Sequence, residues 1–217
     1  MEQKSKIALV TGASRGLGAA LAEALGTRGW HVIAVARTSG GLEALDDRIR
    51  AAGGSTTLAP LDAGNAEAMT KLAGAIAERW GGLDLWAHTA IHAAPLSPAG
   101  HIDAKDFQKS VDLNVVATRG LICLIEPLLR ARLGQALFFD DPRAGQKFFG
   151  SYGATKAAQM ALARSWQAEN QNLHPHVQIA QPAPMPTATR ARFFPGEDRG
   201  GLIPCQQEAE RILSAIL

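Results

Sequence analysis

The chain has 217 residues, 22 basic against 20 acidic, and a formal charge of +2, so nothing in its balance marks a nucleic-acid binder. With 47% apolar and 19% charged residues it has the composition of a folded domain rather than a disordered chain, and the length suits one domain over residues 1–217. No run nears about 18 consecutive apolar residues, no secretory signal is read before the first strand, and two distant cysteines, Cys123 and Cys205, staple nothing; a cytoplasmic protein with no membrane association is expected.

The first element is a buried strand over 7–10, followed by a glycine-rich turn. A helix over 17–28 places Leu17, Ala20, Leu21, Ala24 and Leu25 on one face. The run 31–36 (HVIAVA) predicts a second strand, 41–52 a helix, 55–59 a third strand and 65–79 a helix that stops before Gly81-Gly82. A fourth strand is expected over 83–87. A long helical stretch follows from about 106 to 132, with a bend expected near Pro127 and a stop at Gly134. Strand five is expected over 136–139, a helix over 151–171, strand six over 177–180 and a last helix over 206–217.

Strands that are apolar throughout are buried on both faces, and strands separated by helices imply right-handed crossovers. The expected fold is therefore an α/β, Rossmann-type doubly wound parallel sheet in three layers. The stretch 181–201 is rich in proline and reads as neither sheet nor ordinary helix. It follows a strand's carboxyl end, so 182–204 is a candidate lid over a ligand.

Between the first strand and first helix lies Thr11-Gly12-Ala13-Ser14-Arg15-Gly16-Leu17-Gly18. Gly12 permits a tight turn, Gly16 lets backbone approach a phosphate, and Gly18 lets the helix pack closely on the sheet. The helix terminus then offers unpaired N–H groups to a diphosphate. Further along, Ser151-Tyr152-Gly153-Ala154-Thr155-Lys156 sets Tyr152 and Lys156 four residues apart, on one helix face. An ammonium beside a phenol favours the phenolate, which makes the tyrosine usable as a proton donor or base. Tyr152 is the chain's single tyrosine.

The Gly-x3-Gly-x-Gly spacing, Asn114 within Asp112-Leu113-Asn114-Val115-Val116, the Tyr152/Lys156 pair and Gln181-Pro182-Ala183-Pro184-Met185-Pro186-Thr187 appear in the order of one family. From 6 to about 187 the chain resembles the short-chain dehydrogenase/reductases. The resemblance implies NADP(H) or, less favoured, NAD(H) on Gly12, Ser14, Arg15, Gly16, Leu17 and Gly18, with Asp62 at the adenine edge and Thr187 at the nicotinamide carboxamide. It implies Tyr152 as acid/base, Lys156 on the tyrosine and the ribose, and Asn114 holding a relay water by its backbone carbonyl.

Cofactor choice follows from charge. Strand two ends Val35-Ala36-Arg37-Thr38 with no acid at its tip. Arg15 and Arg37 suit a 2′-phosphate, whereas a bare ribose diol favours a carboxylate there.

Three departures accompany the resemblance. The family's serine, about thirteen residues before the tyrosine, falls at Phe139, or at Asp140 if the loop is one residue shorter. His88-Thr89-Ala90-Ile91 replaces Asn-Asn-Ala-Gly, and Ile91 is expected to crowd the dinucleotide's path. Ala183 replaces a glycine.

The resemblance leads to six strands, the family's usual seventh being expected to be missing, so either the last helix covers the edge of strand six or assembly differs from the family's tetramer. The histidines His88, His92, His101, His174 and His176 lack a ligand spacing on one helix, so no metal is expected. The chain is thus expected to be an NADP-preferring oxidoreductase acting on a carbonyl or secondary alcohol of a small, apolar substrate, as a dimer or tetramer. The alternative is a catalytically weak NADP(H)-binding relative with a structural or sensing role.

Overall fold

The computed structural model describes residues 5–217. Six strands form one parallel sheet: β1 (Ile7–Thr11), β2 (His31–Ala36), β3 (Ser55–Pro60), β4 (Leu85–His88), β5 (Gln135–Phe139) and β6 (His176–Ala180), in the order β3-β2-β1-β4-β5-β6. Every residue of β1 and β4 is buried, as strands apolar on both faces must be when helices cover both sides.

The helices divide between the two faces. On one, Ala8 and Val10 of β1 pack against α1 (Gly16–Thr27), α2 (Ser39–Ala51) and α8 (Cys205–Ile216). On the other, Ile7 and Leu9 pack against α3 (Ala66–Trp80), α5 (Thr118–Arg130) and α6 (Gly150–Glu169). Alternate residues of one strand thus serve two cores. Among the described residues, no helix is long and apolar enough to cross a membrane.

Two local readings are corrected. The expected long helix over 106–132 is α4 (Ala104–Val111), a wider π turn (Asp112–Ala117) and α5, so the α-helical ladder widens around Asn114, while Pro127, which has no N–H to donate, lies within α5. The cause is a tether. Asn114 is fully buried and its side chain holds backbone on the loop after β4. The proline-rich run carries a short helix, α7 (Ala188–Phe193), because 187–194 contains no proline and Thr187 caps it, accepting from Arg190 N at 3.1 Å. Finally, α8 buries Ala209, Ile212 and Leu213 over the α1 face, while β6, the outer strand, keeps partly exposed residues.

Candidate functional site

The chain order reverses between β1 and β4, and a cleft of about 670 Å³ opens at the carboxyl ends of these strands. That volume lies within the usual ligand range of about 300–1,000 Å³. Its floor is the glycine turn. Gly12 has φ +91°, and a Cβ there would stand 2.6 Å from Thr89 Oγ1 and 2.7 Å from Ala90 N. A Cβ on Gly18 would collide with Gly12 O and Thr89 Oγ1, so the helix can approach the sheet only as glycine. Gly16 has φ +57° and faces Thr187.

The N-cap of α1 is Arg15, whose side chain caps nothing, leaving the first-turn amides of Gly16, Leu17 and Gly18 for a ligand. Ser14, Arg15, Arg37 and Asp62 line the same end of the cleft. Asp62 is no helix cap. It accepts from Gly64 N at 2.8 Å and lies 3.9 Å from the exposed Arg37, while Asn65 caps α3. This end fits an elongated anion bearing a diphosphate: it offers free amides, exposed guanidinium groups and a cradle closed to side chains.

Tyr152 and Lys156, on successive turns of α6, line the same cleft, as does Thr187, which faces Gly16. The Tyr152 hydroxyl donates to Asp141 Oδ2 at 3.1 Å. Burial, followed by the Asp141 carboxylate, pushes the phenol well above its ordinary value; Arg143 opposes and Asp140 adds to the rise. This corrects the expectation that Lys156 dominates the phenol. Lys156 itself is buried and lowered to about 8, desolvation outweighing Asp141 and Asp140.

The Lys156 ammonium donates to Gln159 Oε1 at 2.7 Å, and a buried chain continues from there. Gln159 Nε2 donates to Thr118 Oγ1 at 3.0 Å, which lies 3.1 Å from His88 Nε2. His88 Nδ1 lies 2.8 Å from Thr11 Oγ1, which also accepts from Trp86 Nε1 at 3.3 Å and donates to Ala87 O at 3.4 Å. A neutral ring protonated on Nδ1 satisfies every member, and burial, aided by Lys156, holds His88 down at about 3. Lys156 is thereby tied to the middle of the sheet.

Asn114 reaches α6 as well. Its Oδ1 accepts from His92 N at 2.7 Å, and its Nδ2 donates to His92 O at 2.9 Å and Thr155 Oγ1 at 3.0 Å.

Neither residue expected at the serine position meets the phenol. Phe139 is buried in the core, and Asp140 pairs with Arg164 at 2.6 Å. The group that meets the phenol is Asp141, eleven residues before it, held on its other oxygen by Arg143 Nε at 2.8 Å. Ile91 lines the cleft and packs on the cluster of Phe149, Tyr152 and Phe193. Met185 and Phe193 are buried, and Glu208 of α8 accepts from Ala183 N at 2.8 Å, which fixes the start of the proline-rich run.

Sequence reasoning missed Asp141 and Gln159. Gln159 stands three residues after Lys156, a spacing that puts both on one helix face. No spacing singles out Asp141 from Asp140.

Comparison with known proteins agrees with this geometry. Residues 6–198 match the family model for short chain dehydrogenase. A fatty acyl-CoA reductase of Acinetobacter baylyi is 30% identical over 170 residues, 76% of this chain and 58% of that protein. Among the first curated relatives, the chain spans from 51% to 71% of their length. A Salmonella enterica short chain dehydrogenase superposes with a TM-score of 0.86 at 28% identity, covering 93% of this chain and 86% of that one. A protein assigned to the short chain dehydrogenases of Shigella flexneri, solved with NADP, superposes at 0.83 and 28% identity, covering 93% and 86%. Sheet order, glycine turn and a match over nearly the whole length lead to one conclusion: the chain belongs to the short-chain dehydrogenase/reductase family.

Proposed function

We propose that this chain is an NADP(H)-dependent oxidoreductase of the short-chain type, acting on a carbonyl or secondary alcohol of a small, apolar molecule. The observation that carries it is that Tyr152, Lys156 and the glycine turn line one and the same cleft. NADP(H), when bound, supplies the hydride donor or acceptor. The amides of Gly16, Leu17 and Gly18, with Gly12 and Ser14, would hold the diphosphate, Arg15 and Arg37 a 2′-phosphate, Asp62 the adenine edge and Thr187 the carboxamide. Lys156 would hold the ribose. The Shigella flexneri protein solved with NADP supports the choice of nucleotide.

The neutral Tyr152 phenol donates a proton to the substrate oxygen, and Asn114 keeps α6 in register with the loop after β4. Residues 182–204 act as the lid, Met185, Phe193 and Phe194 presenting its apolar side. The whole chain works as one cytoplasmic domain, and the α4–α5 surface, with Phe107 and Val116 exposed, is its self-association face.

A second reading is favoured by one observation, the carboxylate against the phenol. An alkoxide growing about 4 Å from Asp141 meets a repulsion of roughly 4 kcal/mol at an effective dielectric near 20. Loss of a hydroxyl donor costs on the order of 10²–10³ in rate. A protein that binds NADP(H) and turns carbonyls over poorly satisfies both.

Tryptophan fluorescence during titration with NADPH and NADH separates these readings, followed by NADPH absorbance with a panel of ketones and quinones. Turnover lost in Tyr152→Phe supports the oxidoreductase. NADPH binding with no turnover in either protein supports the second reading, and a preference for NADH overturns the roles of Arg15 and Arg37.

A further inference from the structure

The acidic side chains beside Tyr152 carry information about the substrate. Asp141 Oδ2 accepts from the phenol at 3.1 Å and Oδ1 from Arg143 Nε at 2.8 Å, which leaves Oδ2 a lone pair toward the cleft it lines. Asp140 lines the cleft next to it, with one oxygen on Arg164. Beside them the Tyr152 and Phe193 rings line the cleft 4.8 Å apart, with the buried Phe149 ring packed behind Phe193 at 5.0 Å. This aromatic cluster already attracts cations, since Arg143 lies 5.5 Å from the Phe149 ring and Arg190 4.8 Å from that of Phe194. Of the cations near the phenol, Arg143 is held on Asp141 Oδ1 and Lys156 is directed into Gln159.

A carboxylate that repels a developing alkoxide attracts a cation in the same place. We infer that the substrate carries a protonated nitrogen at its reacting carbon, a C=N–H⁺ group held by Asp141 Oδ2 against the Tyr152–Phe193 rings. The inference rests on the reading of the cleft as a nicotinamide site; it sets a C=N–H⁺ carbon in the place of the carbonyl carbon and relieves Tyr152 of proton donation. Hydride addition to the carbon of C=N–H⁺ moves the π pair onto nitrogen and yields a neutral amine. The dihydronicotinamide is oxidised to nicotinamide, and no proton is withdrawn from the protein. Such chemistry has no need of the serine hydroxyl or of an ionised phenol.

Calorimetric titration of the whole chain, with no dinucleotide present, tests the charge preference with two probes of one shape: tetrahydroisoquinoline, cationic near neutral pH, and isochroman, its neutral oxygen analogue. The amine is expected to bind at least about tenfold tighter. Asp141→Asn should erase that difference, and Arg143→Gln should widen it. Equal binding of the two probes overturns the inference, as does a preference that survives in folded Asp141→Asn. If Asp141→Asn does not fold, Arg143→Gln decides: a wider preference supports the inference and a narrower one overturns it. A parallel NADPH titration keeps the two readings apart. Amine preference without NADPH binding sinks the nicotinamide reading and upholds the cation site, whereas NADPH binding without amine preference does the reverse.

Discussion

The hydroxyl of Tyr152 donates to Asp141 at 3.1 Å, and the ammonium one turn later on the same helix donates to Gln159. Phenol and ammonium share a helix face, yet each has its closest polar partner elsewhere. This arrangement keeps the phenol protonated and holds the lysine in a buried network.

The first prediction uses the chain's one tyrosine as its own reporter. Because burial and Asp141 raise the phenol, tyrosinate absorbance in the wild type should not develop near its ordinary pH of about 10. Asp141→Asn removes the carboxylate, and the titration midpoint should fall by about a unit or more. An unchanged midpoint in the folded variant would mean that burial alone sets the phenol.

Lys156 gives a pH-dependent stability. Its folded value of about 8 lies below the ordinary 10.5, so between these values the unfolded chain binds more protons. Stability from this group therefore rises as pH rises from about 8 to 10.5 and is lost as pH falls through 8. Lys156→Met should be more stable than wild type near pH 7, by up to about 3 kcal/mol, with the advantage shrinking toward pH 10. Urea unfolding at pH 7 and pH 9.5 checks it; a constant difference would contradict the assignment.

Gly18→Ala tests the closeness of α1 to the sheet. Alanine is the better helix former by about 1 kcal/mol. Its methyl would meet the Gly12 carbonyl and the Thr89 hydroxyl, and a backbone carbonyl cannot swing aside. Overpacking of about 1–3 kcal/mol should outweigh the propensity gain, so urea unfolding should show net destabilisation together with weakened NADPH binding.

Arg37 stands 66% exposed, with Asp62 3.9 Å away, so its worth lies in a ligand rather than in that loose pair. Arg37→Gln is expected to weaken NADPH binding about tenfold and leave NADH and thermal stability nearly unchanged. Arg15→Gln should act in the same direction. Equal losses for both nucleotides in a fluorescence titration would place the arginines at the diphosphate instead.

His88 adds a structural test. Its ring, held at about 3, spans Thr118 and Thr11, and His88→Ala should cost about 3 kcal/mol by urea unfolding. The His88 ring resonances should stay constant between pH 5 and 8.

What the sequence determined by itself was whatever short-range periodicity encodes. Uniformly apolar runs specify strands buried on both faces, intervening helical periods specify parallel crossovers, and the glycine spacing after β1 marks the turn, because each depends on neighbours a few residues away. Tyr152 and Lys156 share a face for the same reason. Tertiary structure alone decided which residue meets the phenol: the link from 140 to 149 turns through Gly145 at φ +75° and Phe148 at φ +71°, and that path, not residue count, brings Asp141 to Tyr152 in place of Phe139 or Asp140. It also decided that the helix widens at Asn114 and that Lys156 is tied through Gln159 and Thr118 to His88, since these contacts join segments far apart in the chain and exist only once the sheet has brought them together.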